Sequence, residues 1–239
     1  MAKIIYKFLF FFLVTNCLSN DNNSSKDLEN IIKDYILKNP TVIIESLENY
    51  RKKTELEIQD RLEKNIKNFY LEKTYDAFPF IGKKDSKLIL TEFIDYNCGY
   101  CKKTINTINK LHKNIKDIKI VFIDFPILSE SSEIAAKASL ASYNQDAYFD
   151  FHSKLLEHRG EIDISLLIQI AKGLDLDIKK FEKDMNSEEI SNRLQLNKKL
   201  AETLNIRGTP TFLLGNNILA GAYEYEKIEE MIFLEEKEL

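Results

Sequence analysis

Apolar residues recur every three or four positions through the first third of the chain and change period after Phe78. Leu28, Ile31, Ile32, Tyr35 and Ile36 share one face of an amphipathic helix over 27–38, and the polar run 20–26 before it reads as a flexible lead-in. Asn39-Pro40 restarts the chain, because Asn is a favoured N-cap and Pro a favoured first helical residue. No Gly or Pro interrupts the residues that follow, so a second helix is expected from Pro40 to about Leu71. At about 1.5 Å per residue it approaches 50 Å, too long for a small domain to cover. Its stripe is Ile43, Ile44, Leu47, Tyr50, Ile58, Leu62, Ile66 and Phe69, with a polar gap from Arg51 to Glu57. Two readings follow: the stripe packs back on its own domain, or it joins copies of the chain through residues 27–72.

Beyond Phe78 the runs Leu88–Ile94 and Ile118–Ile123 read as buried strands, with a helix over Cys98–Lys113 between them. Strand, helix, strand at this length is a right-handed parallel crossover. Residues from about 131 to 200 are helical in pattern, in the segments Ile134–Tyr143, Tyr148–His158, Ile164–Lys172, Ile178–Met185 and Ile190–Leu204. Thr211–Leu214 and Ile218–Ala220 flank a Gly-Asn-Asn turn and read as a hairpin, and Tyr225–Phe233 closes with a helix.

Composition agrees with a helix-rich globular chain: 44% hydrophobic and 30% charged among 239 residues, with 7 Gly and 4 Pro. The formal charge is −4, and −6 without a leader carrying Lys3 and Lys7, so nucleic acid is not an expected partner. That leader is 1–19: two lysines, an apolar run from Phe8 to Val14 too short to span a bilayer, then small and polar residues. It reads as a secretory signal cut after Ser19. Val14-Thr15-Asn16-Cys17 also resembles a lipoprotein cleavage site, with Cys17 as the lipidated residue and Asn16 as a departure from the usual small residue.

Without the leader two cysteines remain, Cys98 and Cys101, and no third that could make a structural bridge. A disulfide between them would close too small a loop to add much stability, which points to chemistry. At the junction of a strand and a helix, the N-terminal thiol lies beyond the helix end, where unpaired N–H groups and the macrodipole favour a thiolate. Cys98 is therefore the expected nucleophile and Cys101 the resolving thiol. A zinc half-site would need two more ligands. His112, His152 and His158 show no ligand spacing and read as surface or packing residues, so no metal is expected.

Thr91-Glu92-Phe93-Ile94-Asp95-Tyr96-Asn97-Cys98-Gly99-Tyr100-Cys101-Lys102 resembles the active-site segment of DsbA-like thiol-disulfide oxidoreductases. Gly208-Thr209-Pro210-Thr211-Phe212 is similar to that family's second signature, a cis-proline loop. The resemblance covers about residues 77–239 and implies an α/β thioredoxin-like fold with an inserted helical domain over about 131–200. Residues 20–76, with Ile36-Leu37-Lys38-Asn39-Pro40, resemble the N-terminal helical arm of the ScsC-like subgroup, some members of which oligomerise through it and act as disulfide isomerases.

Carried over by position, the resemblance makes Cys98 the attacking and Cys101 the resolving cysteine, with no cofactor beyond their redox-active disulfide. It makes Pro210 cis and facing the pair, and sets Thr209, Gly99 and Tyr100 against an extended substrate peptide. Glu92 matches a buried acid that takes the proton of the resolving thiol; read without the resemblance, it is equally an ordinary partly buried acid. One departure stands out. Strongly oxidising members carry Pro-His between the cysteines, and Gly99-Tyr100 supplies no cation at neutral pH, so a less acidic Cys98 and a less oxidising pair are expected. The function implied is periplasmic or secreted disulfide exchange, as oxidase or isomerase, on unfolded or misbridged proteins, served by a DsbB-like or DsbD-like membrane partner. The rival is a noncatalytic envelope binding module, lipid-anchored or oligomeric, that keeps the fold.

Overall fold

The computed structural model describes residues 21–237. The expected leader 1–19 and Cys17 lie outside the described residues. The described residues divide into two compact units, one ending at Gln59 and the other beginning at Asp60.

In the first unit, helix α1 spans Asp21–Lys38, and α2, Pro40–Leu71, begins directly after Asn39. The expected lead-in 20–26 is helical from Asp21. It contains neither Gly nor Pro, and extending a formed helix by another residue is far easier than starting one. The apolar residues of this unit are largely bare: Ile31 is 65% exposed, Leu47 52% and Tyr50 68%.

The second unit takes in the last turns of α2 and a 3-10 turn at Thr74–Ala77, then β1 (Phe80–Gly82), β2 (Ile89–Ile94), α3 (Cys101–Asn114) and β3 (Lys119–Asp124). Five helices follow, α4 (Glu130–Tyr143), α5 (Tyr148–Glu157), α6 (Ile164–Gly173), α7 (Ile178–Met185) and α8 (Glu188–Thr203). The chain ends on β4 (Thr211–Leu214), β5 (Asn217–Ala220) and α9 (Tyr225–Glu236). Sheet order is β1-β3-β2-β4-β5, with β2 and β3 parallel and the other pairs antiparallel.

Every residue of β2, β3 and β4 is buried, as expected of strands covered on both faces. Alternation sorts their side chains. Leu90, Ile94, Ile120, Phe122, Phe212 and Leu214 join the core shared with α3, the inserted helices and α9. Ile89, Phe93, Val121, Ile123 and Leu213 join the core closed by Ile66 and Phe69 of α2 and by Ala201 and Leu204 at the end of α8. The stripe on α2 thus has two fates: Ile66 and Phe69 pack on the sheet, while Ile43, Ile44, Leu47 and Tyr50 stay exposed.

Four inserted helices start on a side-chain cap. Ser129, Asp163, Asp177 and Ser187 accept from the N–H of Ser132, Leu166, Lys180 and Ile190. Two further features differ from the sequence expectation. Strand β1 was not expected; three residues long and only half-buried, it carries too short a pattern to register. Helix α3 starts at Cys101, because residues 95–100 are held as a turn. No helix among the described residues is long and apolar enough to cross a membrane.

Candidate active site

The turn between β2 and α3 is built by two short polar side chains. Asp95, buried at the end of β2, accepts from the N–H of Asn97 at 2.8 Å through one carboxylate oxygen. Through the other it accepts from the N–H of Ile127 at 2.8 Å and of Leu128 at 3.0 Å. Its carbonyl accepts from the N–H of Cys98 at 3.0 Å. The Asn97 amide lies 2.8 Å from the Ser131 hydroxyl and 3.0 Å from those of Ser129 and Ser132. The turn is thereby tied to the start of α4. Sequence reading passed over Asp95 and Asn97, although residues of this kind fold back on their own backbone and mark a turn.

The turn brings Cys98, Gly99, Tyr100 and Cys101 together with Thr209 and Pro210. Neither cysteine is joined in a disulfide here. Cys98 is 7% exposed and its Sγ lies 3.1 Å from the Thr209 carbonyl oxygen; Cys101 is fully buried. The Thr209–Pro210 peptide bond is cis. Its loop is held by the Thr211 hydroxyl donating to the Gly208 carbonyl and the Gly221 N–H donating to the Pro210 carbonyl, both at 2.8 Å. A Cβ built on Gly99 would meet nothing within 4 Å, so the position faces open space. Tyr100 is 63% exposed, with the Lys103 ammonium 5.1 Å from its ring centre.

The environment splits the two thiols. Hydrogen bonding from the Cys101 side chain lowers the Cys98 pKa to about 5, against the opposing effect of burial and with help from the N–H groups of Cys101 and Tyr100. Burial, first, and the hydrogen bond to Cys98, second, raise Cys101 far above the usual thiol range. A single negative charge on the pair therefore resides on Cys98, with Cys101 as its donor.

Glu92 is fully buried on β2, between Phe122 and Phe212 of the flanking strands. Burial raises its pKa to about 8, which a hydrogen bond from Thr104 partly offsets. That bond, at 2.7 Å, goes to Oε1, and Oε2 has no partner. Sequence reading paired Glu92 with the Cys101 thiol and missed Thr104, one turn along α3. The spacing Cys101 to Thr104 was the available signal, since residues three apart share a helix face.

A second buried group lies at the ends of the central strands. Asp124 Oδ1 accepts from the hydroxyls of Tyr96 at 2.9 Å and Tyr148 at 3.0 Å, and Tyr96 also lies 3.1 Å from His152 Nδ1. Burial lowers the His152 pKa to about 3 and raises that of Asp124 to about 7. His152 is a packing residue among Tyr96, Phe122, Tyr148 and Phe149, in keeping with the sequence reading.

A family model described as "Thioredoxin" matches residues 74–233. The chain belongs to the thioredoxin family. A second model, "Copper resistance protein ScsC N-terminal domain", matches residues 26–57. Among solved structures, the family fold here is similar to the thiol-disulfide exchange protein alpha-DsbA2 from Wolbachia pipientis, at 29% identity and a TM-score of 0.68 over 73% of this chain and 96% of that one. It is also similar to ScsC from Proteus mirabilis in a transitional conformation, at 25% identity and a TM-score of 0.67 over 92% of this chain and all of that one. Disulfide bond formation protein D of Bacillus subtilis is 28% identical over 173 residues, 67% of this chain and 77% of that protein. The chain also matches a sodium/proton antiporter NhaA of Salinispora tropica at 24% identity, over 63% of this chain, and spans about a quarter of that protein's length (24%).

Proposed function

We propose that this chain is a thiol-disulfide exchange enzyme acting on proteins outside the cytoplasm, and that it works as a disulfide isomerase assembled through its N-terminal helices. The observation that carries the exchange reading is the meeting of an acidic, slightly exposed Cys98, its Sγ 3.1 Å from the Thr209 carbonyl oxygen, with a fully buried Cys101. The Cys98 thiolate attacks a substrate disulfide; the Cys98–substrate bond forms as the substrate S–S bond breaks, and the departing sulfur leaves as a thiolate. In isomerisation a second substrate thiolate attacks the mixed disulfide, and Cys98 is returned with no net oxidation. Thr209 and Pro210 present the edge against which an extended peptide lies.

Two observations favour isomerisation. Gly99-Tyr100 contributes no cation beside Cys98. The exposed residues of α1 and α2, in a segment matching the ScsC N-terminal domain, supply an apolar surface for joining copies. An oxidase remains the second reading, because a lowered thiolate pKa stabilises the reduced pair and makes the disulfide oxidising. An electron-donating membrane protein serves the first role and a quinone-linked acceptor the second. The secretory leader sets the location, and lipidation at Cys17 would hold the protein at a membrane.

Scrambled and fully reduced ribonuclease, each incubated with the protein in a glutathione buffer, separate the roles. Recovery of activity from the scrambled substrate is expected. Recovery from the reduced substrate alone would make the protein a disulfide donor, and recovery from neither would leave a binding module.

A further inference from the structure

The Thr104 hydroxyl oxygen lies 2.7 Å from Glu92 Oε1 and 2.8 Å from the carbonyl oxygen of Cys101. Both side chains are buried, Thr104 at 1% and Glu92 at 0% exposure. A hydroxyl carries one hydrogen, so it cannot donate to both oxygens. When Glu92 is ionised its carboxylate only accepts, and the Thr104 hydrogen must point to it. When Glu92 is protonated it can donate to the Thr104 oxygen, and the Thr104 hydrogen is released to the Cys101 carbonyl. The two arrangements differ only in hydrogen positions.

We propose that Thr104 is a positioning residue for the resolving step, its hydroxyl turning from Glu92 to the Cys101 backbone as the carboxylate takes up a proton. The inference rests on the exchange reading above. With Cys98 bonded to a substrate sulfur, the Cys101 thiol gives its proton to the Glu92 carboxylate and attacks Cys98 Sγ. The Cys98–Cys101 bond forms and the Cys98–substrate bond breaks. The substrate leaves with the electron pair as a thiolate and takes a proton from water; Cys101 is oxidised and the substrate sulfur reduced. Thr104 serves this step twice: it holds the ionised carboxylate in a buried site, and it gives the neutral acid a partner afterwards. The titratable groups facing Glu92 are the Cys98 and Cys101 thiols, the flanking strands offer Phe122 and Phe212, and the Lys102 ammonium is turned away onto the His158 carbonyl.

The test uses the full mature chain, reduced, and 2,2′-dipyridyl disulfide, an uncharged probe that releases one chromophore when Cys98 attacks and a second when Cys101 resolves. The second phase is followed against pH by stopped flow. In Thr104→Val it is expected to slow on the order of tenfold at neutral pH, with its inflection displaced upward by about one pH unit, because a hydrogen bond to a charged group is lost. The first phase stays unchanged, Thr104→Ser restores the second, and Thr104→Val adds nothing in a Glu92→Gln background. A second phase unchanged in Thr104→Val, one equally slow in Thr104→Ser, or a further tenfold slowing when Thr104→Val is added to Glu92→Gln would overturn the proposal. Thr104→Ala supplies the same comparison if the valine variant does not fold. Absence of the first phase in the unsubstituted protein would instead defeat the exchange reading.

Discussion

At the scale of single residues, the site works by unequal treatment of like groups. Cys98 and Cys101 differ by three positions, yet one lies beyond the helix end with donors aimed at it and the other is sealed beneath. Thiolate absorbance of the reduced protein is therefore expected to titrate with a midpoint at about pH 5. Cys101→Ala, which removes the foremost donor, should move that midpoint toward the ordinary value of about 8.5. Because the folded value lies below the unfolded one, Cys98 stabilises the reduced protein fully above the unfolded value, and this contribution fades as pH falls through about 5. Glu92 has the opposite sign. Its raised value means the folded protein holds a proton that the unfolded chain loses, so its contribution to stability falls as pH rises from about 4.5 to about 8. Glu92→Gln should accordingly gain on the parent protein across that window, by on the order of a few kcal/mol at pH 8. Chemical unfolding at several pH values would show a difference that is flat or reversed if Glu92 is ordinarily ionised.

At the scale of elements, α2 carries two kinds of surface on one uninterrupted run of helix. Ile66 and Phe69 close the core on one side of the sheet, and Phe69→Ala should destabilise this unit by about 3–5 kcal/mol in a denaturant melt. Ile43 and Leu47 are bare, so Ile43→Asp with Leu47→Asp should leave the melt unchanged while lowering the mass found by sedimentation; an equal mass for both proteins would rule out assembly through this face. Most elements were legible from periodicity alone. Ile178–Met185 and Thr211–Leu214 have the predicted ends, β2 starts one residue later and ends where expected, and β3 lies one residue further on. What was hidden depends on contacts distant in sequence. Residues 95–100 follow a strand and precede an amphipathic run, and they are held as a turn by the bonds of Asp95 with Ile127 and Leu128 and of Asn97 with the serines at the start of α4. Lys119 reads as an intrusion in an apolar strand. Its ammonium is buried between the rings of Tyr75 and Phe80 and pairs with Asp76, a neighbour no local pattern reveals.

At the scale of the whole molecule, most of the proposed site residues were legible because the chemistry is local in sequence. Cys98 and Cys101 share one short segment and Thr209 and Pro210 another, and the fold brings the two together at the ends of β2 and β4. Thr104 was not legible, since a threonine on a helix is common and its meaning comes from the packing of α3 over β2, which sets it against Glu92. The central claim is that Cys98 exchanges disulfides with protein substrates while Cys101 releases them. Cys101→Ser should therefore arrest the reaction midway. Incubated with a disulfide-bonded protein and separated without reductant, this variant is expected to carry the substrate covalently on Cys98, located by mass spectrometry, and Cys98→Ser to carry none. Substrate left with its disulfides untouched by the unsubstituted chain and by both variants would contradict the account.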